Sequence, residues 1–343
     1  MDKRVIFAVA GAGKTTYILK QLNLEKRSLI ITYTINNTNN LRDGILKMFH
    51  YFPSNITLMP YFTFLYSFCY KPFLSYKLKT KGITFDRNPH NYLKQKDPRY
   101  FIDSYGRVYS NRIAKLMELQ GVSEDIKARL SKYFDNIFID EVQDIAGHDF
   151  TFLTSISNSS NEILSVGDFY QHTFDTSRDG NVHCNLHEDY DKYKKAFQKM
   201  GVTVDCESLN KSYRCSPTIC NFINEKLGIQ IYSHNSDETK IHYITTATDA
   251  DKIYHNPKII KLFLKEHYRY RCFSRNWGDC KGEDRYGDVC VVLNKTTLKY
   301  FKKDKLKELN PQTRNKLYVA CTRAKNDLYF VPDEFYKKYY MLR

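Results

Sequence analysis

The chain has 343 residues, too many for one ordinary domain and suited to two cores of roughly 150 residues each plus a modest insertion. Its 53 lysines and arginines against 38 aspartates and glutamates leave a net charge of +15, which suits a polyanionic partner but would look the same in any basic soluble protein. Nine cysteines without a C-x-x-C pair argue against a disulfide framework and for free thiols in a reducing cytosol. A zinc or iron–sulfur site from Cys272, Cys280 and Cys290 fits no standard spacing, so small buried hydrophobes are the better reading. No apolar run approaches the roughly 18 residues that span a bilayer, and the first strand runs straight into a loop motif without room for a signal peptide. A cytoplasmic protein with no membrane partner is expected.

In chain order, short apolar or β-branched runs at 5–9, 28–33, 136–139, 162–166, 202–207, 240–245, 288–293 and 327–331 alternate with helical stretches. They predict buried parallel strands of α/β sheets. Residues 70–130 are basic, tyrosine-rich and lack obvious buried strands, so they read as an insertion on the first lobe. The predicted organisation is a first lobe over 1–69 and 131–203, the insertion over 70–130, and a second lobe over 204–343.

AVAGAGKTT at 8–16 lies between a strand-like VIFAV and a helix-like TYILKQL, the context a phosphate loop requires. Gly11 and Gly13 let the backbone of Ala10, Gly11, Ala12 and Gly13 curl so that N–H groups face phosphates. Lys14 would neutralise the β- and γ-phosphates of ATP, Thr15 would ligate Mg2+, and Thr16 continues into the helix. Ala8 stands where the strict pattern has glycine. NIFIDEVQD at 136–144 is an apolar strand ending in two carboxylates. Asp140 suits the Mg2+ water shell, while Glu141 can orient and deprotonate an attacking water. An acidic helix cap is the bland alternative; it loses weight because the phosphate loop lies upstream and EILSVGDFYQ at 162–171 follows, ending in Asp168 and Gln171. Gln171 can bridge the γ-phosphate or its water to a nucleic-acid side.

These motifs, continued by RSLIITYTINNTNNLRDGI (27–45), LMPYFTFLYSF (58–68), LNKSYRCSPTICNFIN (209–224), WGDCKGEDRYGDVCVVLN (277–294) and NKLYVACTRAKNDLYFV (315–331), resemble superfamily 1 helicases of the UvrD/Rep/PcrA type. The resemblance implies an α/β fold of two RecA-like parallel-sheet P-loop NTPase lobes with a reduced insertion in the first. It also implies that Tyr213 stacks on adenine, that Glu283 or Asp284 meets the ribose, and that Arg214 and Arg323 serve as arginine fingers. Without their flanking motifs, either arginine would read as a surface ion pair. Nucleic-acid contacts are implied at Tyr33, Asn36, Thr63, Phe64 and Trp277, although Phe64, within the apolar YFTFLYSF, reads equally well as core.

Only 66 residues separate Arg214 from Lys281, where larger members of the family carry a second accessory domain. The implied activity is an ATP- and Mg-dependent translocase on single-stranded or tailed duplex DNA, moving 3′ to 5′. A regulatory ATPase subunit acting on a nuclease or another protein partner remains open, and a P-loop kinase would leave both arginines and Gln171 to coincidence.

Overall fold

The computed structural model describes residues 2–90, 92–173, 176–177 and 180–341. Two compact units emerge, one from 1–6, 15–167 and 174–205, the other from 7–14, 168–173 and 206–343.

The first unit is built on a six-stranded sheet in the order Ile56–Pro60, Ser28–Thr32, Asn136–Ile139, Glu162–Gly167, Lys3–Phe7, Thr203–Asp205. Ser28–Thr32 pairs in parallel with Ile56–Pro60 and with Asn136–Ile139, which pairs in parallel with Glu162–Ser165. The central strands are buried throughout, Ser28–Thr32 and Asn136–Ile139 along their whole length, which is why they read as continuous apolar runs rather than alternating ones. Because they run parallel, Thr32, Asp140 and Gly167 end on one edge of the sheet, the edge where open α/β sheets bind ligands.

Two expectations need correction here. Thr203–Asp205, read as the opening strand of the second lobe, pairs in parallel with Arg4–Ile6 and closes the first sheet, so the second unit's last segment starts at Cys206 and not at 204. The insertion is also shorter than 70–130. Helices Ile113–Leu119 and Ser123–Tyr133 bury Ile113, Leu116, Met117, Ile126 and Leu130 and contact the helix Gly147–Ile156, so they belong to the unit's core. What stands apart is the stretch around a two-stranded parallel ribbon, Gly82–Thr84 with Arg107–Tyr109.

The second unit contains a five-stranded parallel sheet in the order Ile241–Tyr243, Leu328–Pro332, Val289–Leu293, Ile260–Phe263, Ser274–Asn276. Val289–Leu293 is buried along its full length. Ala250, Tyr254, Phe263, Val292, Val331 and Tyr336 form part of the core on one face. Ile260–Phe263 escapes a hydrophobicity reading because Lys261 interrupts it. That side chain is 1% exposed, and its ammonium donates to the carbonyls of Asn256 at 2.7 Å and Ile259 at 3.0 Å. Burial lowers its pKa.

Candidate nucleotide and nucleic-acid sites

In the first unit, the strand Asn136–Ile139 delivers Asp140 and Glu141 at its carboxyl end. Asp140 accepts the Glu141 N–H at 3.0 Å through Oδ1 and the Thr32 hydroxyl at 3.4 Å through Oδ2. Glu141 has φ +57°, a left-handed conformation that costs a non-glycine residue on the order of 1 kcal/mol and turns its side chain away from the strand direction. Both carboxylate oxygens meet neutral amides: Gln143 Nε2 donates to Oε2 at 2.6 Å, and Asn37 Nδ2 donates to Oε1 at 3.3 Å. Gly167 sits against Gln143, where a Cβ would come within 2.4 Å of Oε1. Among the described residues, no three His, Cys, Asp or Glu side chains cluster as metal ligands. The available donors, a carboxylate at Asp140 and a hydroxyl on Thr15 in the first turn of the helix Lys14–Lys20, suit Mg2+, which prefers oxygen and keeps most of its shell for water and phosphate.

In the second unit, the stem of the glycine loop is tied down residue by residue. Val9 N–H donates to Leu209 O at 2.9 Å, Ala10 N–H to the Tyr318 hydroxyl at 2.9 Å, and Ala12 N–H to Val9 O at 3.2 Å, while Gly11 O accepts from Tyr213 N–H at 2.9 Å. The N–H groups of Gly11, Gly13 and Lys14 have no protein acceptor among the described residues. Gly11 and Gly13 take φ +72° and +83°, which β-carbon-bearing residues avoid. At Gly11 a Cβ would also lie 2.8 Å from Arg214 Cβ and from Ser212 Oγ. Tyr318 is fully buried and passes the chain onward, donating to Asp168 Oδ2 at 2.9 Å. Burial first, then the charge of Asp168, raises its phenol pKa well above the ordinary value. A single hydroxyl thus links loop backbone, the GDFYQ turn and the helix Pro311–Cys321. Asn315 on that helix donates to His172 O at 3.2 Å, and Gln171 is buried in the same turn.

Both candidate arginines lie in this unit with different partners. Arg214 forms an ion pair through Nε with Asp284 and donates to Thr322 O at 3.1 Å. Burial raises the Asp284 carboxyl, but the Arg214 hydrogen bond and charge outweigh it and hold the group below its ordinary pKa. Arg323, 2% exposed, binds carbonyls: Val319 at 3.2 Å, Glu283 at 3.0 Å and Cys280 at 3.5 Å. Burial, then the charge of Arg214, pushes its pKa down to about 10. The Glu283 carboxylate faces Arg275 at 3.6 Å and Arg285 at 3.7 Å. Tyr213 is 63% exposed, with its ring edge-on to His234 at 4.2 Å.

Solved structures can now be set beside this geometry. The arterivirus nonstructural protein 10 (helicase) aligns over 97% of this chain and 61% of its own, with TM-score 0.51 and 13% identity. The same protein in complex with DNA aligns over 97% and 62%, with TM-score 0.50 and 14% identity. The likeness is one of fold, an α/β architecture with parallel sheets in both units. The chain spans about three fifths of the helicases it matches. No protein-family profile and no curated relative matches it.

Within this fold, the sequence-predicted nucleic-acid residues separate into two groups. Tyr33 is half-buried, and Asn36 and Thr63 are exposed. Phe64 and Trp277 are corrections. Phe64 is 1% exposed and stacks on Phe68 at 5.8 Å; Trp277 is fully buried and donates its indole N–H to Leu262 O at 2.8 Å. Neither can present a ring face to a base. Conversely, Asn37 and Tyr318 take part in the sites without having been singled out. Asn37 sits in the polar run 34–40, which Thr34 caps as the first turn of a helix, and only tertiary packing brings its amide to Glu141. No described helix is long and apolar enough to cross a membrane.

Proposed function

We propose that this chain is an ATP-hydrolysing motor on nucleic acid, of the UvrD/Rep/PcrA kind, stimulated by single-stranded DNA. The observation that carries this reading is Glu141: a carboxylate beside Asp140, left-handed at the end of a buried strand, with both oxygens held by neutral amides. A carboxylate aimed by its backbone and by an amide on each oxygen, next to a second carboxylate at a strand end, suits a general base. In the proposed reaction, water attacks the γ-phosphorus, its proton passes to Glu141, and the bond to the ADP leaving oxygen breaks. Lys14 and the free N–H groups of Gly11 and Gly13 hold phosphate oxygens, and Tyr213 offers its exposed ring to the base. Mg2+, held by Asp140 and Thr15, supplies charge neutralisation at the phosphates when bound. Arg214 and Arg323 meet charge that develops on the transferred phosphoryl group. The 3′ to 5′ direction and the preference for DNA over RNA rest on the family resemblance.

The loop lysine and the base separate in a binding experiment. Lys14→Ala should lose ATP affinity and turnover together. Glu141→Gln should lose turnover alone and retain bound ATP, because the amide preserves shape but accepts no proton. Equal loss of ATP binding in the two variants, measured with a fluorescent ATP analogue, would remove Glu141 from the role of base.

A further inference from the structure

The first unit carries a row of aromatic rings that begins at Tyr33, already implied as a nucleic-acid contact, and continues through two rings with no assigned role. Tyr33, which follows the strand Ser28–Thr32, stands edge-on to Phe62 at 5.9 Å; Phe62, which follows the strand Ile56–Pro60, stands edge-on to Phe85 at 5.0 Å. The row therefore begins at the carboxyl edge of the sheet and ends on the insertion. Phe85 is 66% exposed at the end of the ribbon strand Gly82–Thr84. A phenylalanine has no polar handle that would make this exposure neutral, and it contributes nothing to the core from there. Its surroundings are basic. Residues 70–109 hold nine lysines and arginines against three aspartates. Exposed Lys79, Lys81 and Arg87 flank the ribbon strand without a carboxylate partner among the described residues. Arg107, on the paired strand, is compensated by Asp103 at 2.7 Å and Asp86 at 3.2 Å.

An exposed ring at the end of a half-buried aromatic row, beside uncompensated cations, is the combination that binds a single strand, with bases on the rings and phosphates on the cations. A protein partner would use the rings but has no need of the excess charge. A duplex would use the charge but keeps its bases stacked away from the rings.

We propose that Tyr33, Phe62 and Phe85 form a base-stacking platform that carries single-stranded DNA from the sheet edge onto the insertion, with Phe85 as its outer step. The proposal rests on the motor reading above and adds to it where the strand leaves the motor.

The test is fluorescence anisotropy of a labelled oligothymidylate with the full chain across a salt series. Phe85→Ala should bind about tenfold more weakly, the loss of roughly one stacked base. Its log–log salt slope should be unchanged, because a neutral ring releases no counterions. Tyr76→Ala, which removes another exposed ring of the insertion that touches no aromatic partner among the described residues, should bind normally. Phe85→Trp should keep affinity and show emission quenched by the oligonucleotide; buried Trp277, the chain's one native tryptophan, leaves that signal to position 85. If wild type binds while Phe85→Ala binds equally well, Phe85→Trp is not quenched, or Tyr76→Ala loses as much, the platform is overturned and the motor stands. Preference for blunt duplex over oligothymidylate also overturns it. A wild-type chain that binds no oligothymidylate overturns the motor reading and the platform together.

Discussion

In the first unit the reactive carboxylate of Glu141 is oriented by the neutral amides of Asn37 and Gln143 and by its own left-handed backbone. In the second unit the charged groups are held otherwise: Arg214 by the opposite charge of Asp284, and Arg323 by three backbone carbonyls in a buried pocket. The difference matters for timing. A carboxylate aimed by amides and backbone is in position before the substrate arrives. A guanidinium held by an aspartate must exchange that partner for phosphate, so its contribution belongs to the transition state and to whatever motion makes the exchange.

The largest effect should fall on the arginines. Arg323→Gln and Arg214→Ala should each lower kcat by about 10³-fold or more, with KM for ATP changed little, since each cation meets charge that develops during transfer. Steady-state kinetics alongside thermal melts checks this, the melts guarding against loss of fold at buried Arg323. A change confined to KM would mean that the second unit's cations bind ground-state nucleotide, and the contrast between the units would fail.

A smaller loss should follow from Asn37→Ala, about 10- to 100-fold in kcat, because one of two orienting amides is removed while the base itself remains. ATP affinity should be untouched. If kcat is unchanged, Gln143 and the backbone suffice to aim Glu141 without Asn37.

The smallest effect concerns stability behind the first-unit site. Burial raises the Asp149 carboxyl to about 7, against the hydroxyls of Thr176 and Tyr61, which pull it down. A raised folded pKa means that the native state holds the proton more tightly than the unfolded chain. The associated stability is present below pH 4 or so and is lost as pH rises toward 7. Asp149→Asn, neutral throughout, should therefore melt higher than wild type at pH 7.5 and lose that advantage near pH 4.5. A difference that does not vary with pH would place the ionised form in the fold.

The parts of this architecture that the sequence discloses are those in which one local segment carries both the fold signal and the chemistry. The glycine loop, the DEVQD strand end and the segments bearing Arg214 and Arg323 are of this kind. Strand Ile56–Pro60, partly exposed along four of its five residues, and strand Ile260–Phe263, interrupted by buried Lys261, carry no continuous apolar run and went unread. Aromatics were the least legible residues. Phe64 and Trp277 turned inward while Phe62 is half-buried and Phe85 exposed, and sequence spacing does not separate a ring that packs in a core from one that offers a face. The links through Asn37 and Tyr318 depend on partners more than 100 residues away, beyond any local pattern.

The account stands most directly on whether hydrolysis is coupled to nucleic acid. Steady-state ATP hydrolysis by the full chain with Mg2+, with and without oligothymidylate, should rise many-fold on addition of the oligonucleotide and stay at background in Glu141→Gln under both conditions. Turnover indifferent to oligonucleotide, or phosphate passed to a small acceptor instead of water, would contradict it.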